Sequence, residues 1–157
     1  SANGSQETQG VELGVFGEPL AGVRVLGGAT FLDAELARTT DGIDEGNTPI
    51  GVPDVQANLN LEWDLPMLPG MTIDGRVVYT GEQYINNANT FDIPAWTRFD
   101  LGARYATQMA GRAVTLRGRI ENLGNRDYWA SAGGFPGANY LVLGTGRTFL
   151  LSASVDF

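Results

Sequence analysis

The chain has 157 residues, with ten arginines, no lysine and 18 carboxylates, for a net charge of −8. The acidic balance excludes a duplex nucleic-acid binder, which needs a basic face. Having neither cysteine nor histidine, the chain cannot form disulfides, thiolate metal sites, cysteine nucleophiles or any Ser-His-Asp arrangement; only oxygen-ligand metal sites stay open.

In chain order, residues 1–6 (SANGSQ) have the composition of a linker or expression scar, with no apolar leader segment. Period-two alternation then recurs, the mark of half-buried strands. The first strand is expected over 7–17, where Val11, Leu13 and Val15 oppose Glu12 and Gly14, with Phe16 out of pattern. The second, over 21–38, is less regular, because Leu26 and Leu32 share a face with Arg24 and Thr30. The third, over 52–65, is the clearest: Val55, Ala57, Leu59, Leu61, Trp63 and Leu65 oppose Gln56, Asn58, Asn60, Glu62 and Asp64. The fourth is expected over 70–86, with Ile73, Val77 and Tyr79 against Thr72, Asp74, Arg76 and Thr80. The fifth covers 94–106, with Phe99, Leu101, Ala103 and Tyr105 against Arg98, Asp100, Gly102 and Arg104. The sixth covers 112–125, with Val114, Leu116 and Ile120 against Thr115, Arg117, Arg119 and Glu121. The seventh covers 142–157, where Phe149, Leu151, Ala153, Val155 and Phe157 alternate with mostly polar residues and Leu150 is the exception.

The connections alternate without a break between short (GEPLAG, PMLPG, TQMAG) and long (TTDGIDEGNTPIG, QYINNANTFDIP, DYWASAGGFPGANY). In an up-and-down antiparallel meander this places every short turn at one end and every long loop at the other, the asymmetry of outer-membrane barrels. Alternation alone equally fits a soluble β-sandwich. Three features favour the barrel. They are the loop asymmetry, the aromatics Tyr79, Tyr84, Trp96, Tyr128 and Trp129 toward the long-loop ends as in an interfacial girdle, and the terminal Phe157 on the apolar face. The other face carries Asp74, Arg76, Arg98, Asp100, Arg104, Arg117, Arg119 and Glu121. Such mixed charge suits a wet lumen, where opposite charges pair across strands.

Several stretches together resemble the C-terminal barrel strands of TonB-dependent outer-membrane receptors, the siderophore (ferrichrome-type) branch. They are TQGVELGVFGEPLAGVRVLGGATFLDAEL, TPIGVPDVQANLNLEWDL, WTRFDLGARY, ENLGNRDYW (Asn122, Leu123, Arg126, Tyr128, Trp129) and the closing GRTFLLSASVDF. Val155 stands where the family often has tyrosine. The resemblance implies an all-β segment of a 22-stranded transmembrane barrel that is plugged by an N-terminal domain. Residues 7–157 would form its C-terminal barrel segment, without the plug domain or the TonB-contacting segment. The whole receptor would sit in the outer membrane of a Gram-negative bacterium, bind ferric siderophores and import them with energy from TonB. It would use no cofactor, and the fragment alone would not transport.

External loops and upper-barrel aromatics contribute to siderophore capture in that family, which makes Tyr84, Trp96, Tyr128, Trp129, Phe135 and Tyr140 the ligand-binding candidates. Leu151, Ala153, Val155 and Phe157 resemble the C-terminal signal read by the barrel-assembly machinery. Open sheet edges would favour self-association of the fragment. An acidic loop with Asp41, Asp44 and Glu45 reads as solvated rather than as a metal site. No nucleophile–base pair is legible, so an enzyme is not expected. The competing reading is a soluble β-sandwich or small-barrel binding or interaction module. The two differ in the fate of Leu59, Leu61, Leu101, Leu116 and Leu151, which face lipid in one and converge in a closed core in the other.

Overall fold

The computed structural model describes residues 4–135 and 138–156. Seven long strands form one antiparallel sheet: β1 (Ser5–Leu20), β2 (Val23–Arg38), β3 (Val55–Asp64), β4 (Met71–Thr80), β7 (Trp96–Met109), β8 (Arg112–Glu121) and β11 (Thr148–Val155). Their order in the sheet is their order in the chain, an up-and-down meander. β1 and β11 are its edges. A 3-10 turn, Thr40–Gly42, lies in the first long loop.

Two long connections hold small hairpins of their own. β5 (Gln83–Tyr84) pairs with β6 (Asp92–Ile93), and β9 (Trp129–Phe135) pairs with β10 (Ala138–Leu143). Several expected boundaries therefore move. The strand expected over 70–86 stops at Thr80, with one further ladder bond from the Gly81 N–H to the Val55 carbonyl, and Gln83 and Tyr84 pair instead with Ile93 and Asp92. The strand expected over 112–125 stops at Glu121, because Asn122 takes φ +52°. Residues 142–143 belong to β10, and the last strand begins at Thr148. At the other end, Ser5 and Gln6 already pair with Arg38 and Leu36, so strand replaces part of the expected linker.

The short connections are tight for a physical reason. Between β7 and β8 only Ala110 and Gly111 intervene, with φ of +52° and +77°. Two consecutive left-handed residues are the hairpin geometry that matches strand twist.

Cross-strand partners share a face, so the register sorts the side chains directly. One row reads Arg24, Glu62, Asp74, Gly102, Arg119, Leu150 across six strands. The next row toward the short turns reads Asp64, Thr72, Arg104, Arg117, Ser152. A row on the opposite face reads Val25, Leu61, Gly75, Leu101, Ile120, Phe149. Phe16 and Leu26, which break the alternation, pair with each other on the charged face.

No second sheet covers the apolar face among the described residues. Leu61, Leu101 and Leu116 are each 47% exposed, and Leu151 is 89% exposed. The apolar side chains thus stay outward instead of converging, which removes the sandwich reading. Among the described residues few are buried: the polar Thr72, Thr80, Gln83, Asp100 and Asn122, the apolar Ala34, Ile93, Val114 and Ala132, and Pro49, Pro53, Gly81 and Gly102.

Candidate functional site

The charged face is held by ion pairs that cross strands. Arg24 of β2 reaches Glu62 at 3.0 Å and Asp64 at 2.6 Å on β3, and Thr72 of β4 donates to Asp64 at 2.6 Å. Arg104 in turn donates to the Thr72 hydroxyl at 3.2 Å. Asp74 of β4 pairs with Arg119 of β8, skipping the strand between them. It can do so because the residue of β7 in that row is Gly102: a Cβ there would lie 2.8 Å from the Asp74 Cγ. Arg76 and Glu121 complete the face by register, at partners Asp100 and Thr148 respectively. All eight charges expected on one face thus lie on it. Arg117 has no hydrogen bond or ion pair among the described residues.

Toward the long loops the charged face becomes aromatic, over a buried polar knot. The Asp100 side chain is fully buried and accepts from Arg98 at 3.0 Å and from the Asn122 N–H at 2.9 Å. Asn122 accepts from the Arg126 N–H at 3.0 Å. Its amide donates to the carbonyls of Arg126 at 2.8 Å and Thr145 at 3.0 Å. These bonds compensate the knot's carboxylate and amide for leaving water, the condition for burying them. Trp96 lies against Tyr128 with ring centroids 4.5 Å apart, and its indole N–H donates to the Ala130 carbonyl at 3.3 Å.

Of the expected ligand-binding residues, Trp96 and Tyr128 are therefore in contact. Trp129 (41% exposed) and Tyr140 (53% exposed) stand on the β9–β10 hairpin, and Tyr84 is half-buried on β5. The backbone of Phe135 ends β9, and its side chain lies outside the described residues, as does Phe157. Leu151, Ala153 and Val155 share the apolar face of β11 by alternation, paired with Gly118, Leu116 and Val114. Among the described residues no group of three carboxylates gathers as a metal site would need, Asp41, Asp44 and Glu45 included.

Sequence reasoning missed Gly102, Gln83, Asn89 and the central place of Asn122. The one available signal was Asn122 itself, an asparagine closing a strand before Leu-Gly-Asn; the others act only through partners distant in sequence.

A single sheet with ion pairs on one face and an uncovered apolar face on the other, short turns at one end and long loops at the other, is the wall of a transmembrane β-barrel. The chain belongs to the TonB dependent receptor-like β-barrel family, whose model matches residues 1–123. It is 42% identical over 154 residues to the ferrichrome receptor FcuA of Yersinia enterocolitica, covering 98% of this chain and 20% of that protein. It is 37% identical over 152 residues to the ferrichrome outer membrane transporter/phage receptor of Escherichia coli, covering 90% of this chain and 20% of that protein. Among solved structures it superposes on BauA, the ferric preacinetobactin receptor of Acinetobacter baumannii. There the TM-score is 0.89 and the identity 41%, over 100% of this chain and 23% of that one. The chain thus spans about a fifth of the length of the curated relatives it matches.

Proposed function

We propose that this chain is the C-terminal part of the barrel of an outer-membrane receptor for TonB-dependent uptake of ferric siderophores in a Gram-negative bacterium. The observation that carries the reading is the seven-stranded meander with its apolar face uncovered, joined to 42% identity with a ferrichrome receptor across almost the whole chain. In that reading the apolar face meets lipid and the charged face lines the lumen. Ion pairs such as Arg119–Asp74 fasten the strands to one another there. The aromatic zone at the long-loop end, with Tyr84, Trp96, Tyr128, Trp129, Phe135 and Tyr140, contributes to ligand capture. TonB and the ferric siderophore are partners of the whole receptor.

The edges β1 and β11 carry unpaired backbone groups, which neighbouring strands of a closed barrel satisfy. Alone, the fragment self-associates through them and transports nothing. Leu151, Ala153, Val155 and Phe157 form the assembly signal on the last strand. No part of this scheme needs an enzyme.

The test is complementation. The whole receptor containing this chain is expressed in a strain lacking its own ferrichrome receptor, and uptake of ferrichrome-bound radioactive iron is measured with and without functional TonB. TonB-dependent uptake is the expected result. Absence of uptake and of binding across hydroxamate and catecholate ferric complexes, in a receptor that reaches the outer membrane, rejects the siderophore assignment.

A further inference from the structure

The three long connections are fastened to one another as well as to the barrel. Asn89, in the β5–β6 turn, clamps Thr48 of the preceding long loop on both sides. Its Oδ1 accepts the Thr48 N–H at 2.8 Å, and its Nδ2 donates to the Thr48 carbonyl at 2.8 Å. This reciprocal pair imitates two rungs of an antiparallel ladder. Asn89 reaches it from a left-handed conformation, φ +52°, which asparagine tolerates better than most residues. Beside it, Asn47 donates to the Asn87 carbonyl at 2.9 Å, and the Gly51 N–H donates to the Tyr84 carbonyl at 3.0 Å.

The third connection is fixed in the same way. Gln83, 3% exposed, accepts the Ala132 N–H at 3.2 Å, and Asn139 donates to the Ile85 carbonyl at 2.7 Å. Gly51, at φ +74°, lies so close to β9 that a Cβ would stand 3.0 Å from the Ala132 carbonyl carbon and closer still to its oxygen. Ile93, Gln83 and Ala132 form a small buried centre between the loops.

We infer that the three long connections form one preassembled body, with Gly51, Gln83 and Asn89 as positioning residues that hold the aromatic rim in place before any ligand arrives. The structural basis is that bonds join each neighbouring pair of loops, and most are side chain to backbone. They therefore hold the loops whichever side chains the rim exposes. A rim ordered in advance does not have to be ordered by the ligand, and that raises affinity without adding a contact. The inference rests on the siderophore reading only for the identity of the ligand.

This chain has no cysteine, so in a whole receptor freed of any cysteine elsewhere, paired spin labels report the geometry directly. Labels are placed at Glu45→Cys with Ala88→Cys, and at Ala88→Cys with Leu141→Cys, all three positions being exposed. The whole receptor is studied in detergent, and distances are read by pulsed EPR. Both pairs are expected to give one narrow distribution without ligand, unchanged on adding ferrichrome. Asn89→Ala should broaden the first pair and weaken ferrichrome binding on the order of tenfold. Gly51→Ala serves as the second variant should Asn89→Ala fail to fold, and should broaden the same pair. Broad or split distributions in the unliganded receptor overturn the inference, as does a ligand-driven shift of either pair or a variant that leaves the first pair narrow. Narrow distributions in a receptor that binds no ferric siderophore would instead uphold the inference and reject the ligand assignment.

Discussion

Replacing Gly102 with alanine tests how the charged face is held together. Asp74 reaches Arg119 only by passing over Gly102, where a Cβ would stand 2.8 Å from the Asp74 Cγ and 2.9 Å from Oδ2. A short side chain has no slack at that distance, so the carboxylate must swing off Arg119. The two side chains are 20% and 28% exposed, which places the pair between an exposed bridge, worth under about 1 kcal/mol, and a buried one, whose breaking costs roughly 3–5 kcal/mol. A loss of about 2 kcal/mol follows. Alanine for glycine in a compatible backbone returns about 0.5 kcal/mol by restricting the unfolded chain, so the net expectation is a destabilisation of about 1.5 kcal/mol. The natural control is Gly75→Ala on the neighbouring strand, where an added Cβ meets nothing within 4 Å and a gain of about 0.5 kcal/mol is expected. The assay is urea unfolding of the receptor folded in detergent micelles, read by the loss of heat-modifiable migration. Pairing Gly102→Ala with Asp74→Ala isolates the cause, since in the Asp74→Ala background the cost of Gly102→Ala should vanish. If it persists there undiminished, or if Gly75→Ala costs as much, the bridge over Gly102 is not what the glycine serves.

Asp100→Asn removes the buried carboxylate from the half-buried Arg98, so a loss of about 2 kcal/mol, between that of an exposed and a buried pair, is expected in the same unfolding assay, with the Asn122 N–H still able to donate to the new amide oxygen. Leu61→Arg, at mid-strand on the apolar face, should cost roughly 2–4 kcal/mol in a lipid bilayer, while Asn58→Arg on the charged face should cost far less; equal costs in vesicle-folded receptor would refute the assignment of faces. Ala110→Asn should stabilise by about 1 kcal/mol, because alanine at φ +52° carries a steric penalty that asparagine largely escapes; an unchanged unfolding midpoint would refute it. Deleting Phe157 should lower the amount of receptor in isolated outer membranes without altering ferrichrome affinity per folded molecule.

The legible part of this protein was local. Leu59, Leu61 and Trp63 alternate with Asn58, Asn60 and Glu62 along ten residues of β3, and period two cannot be read as any other regular structure at that length. The charged residues of β4, β7 and β8 followed from the same pattern, and the aromatics of the long loops stood out as residue types. The hairpin β9–β10 was not legible, because Ala132, Gly133 and Gly134 offer no alternation and read as loop. The linker reading of Ser5 and Gln6 failed similarly: their polar, small character suggests coil, but Arg38 and Leu36 supply ladder partners from the far end of β2.

By itself, then, the sequence determined the seven long strands of the main sheet, the two faces and the division into short and long ends, since each depends on neighbours within a few residues. Tertiary structure decided what depends on register and on backbone paths meeting. Examples are Asp74 crossing Gly102 to Arg119, Asn122 closing over Asp100, and Asn89 holding Thr48 from 41 residues away. Side-chain period is a property of one strand, whereas a bridge or a clamp exists only once several strands and loops have been brought to the same place.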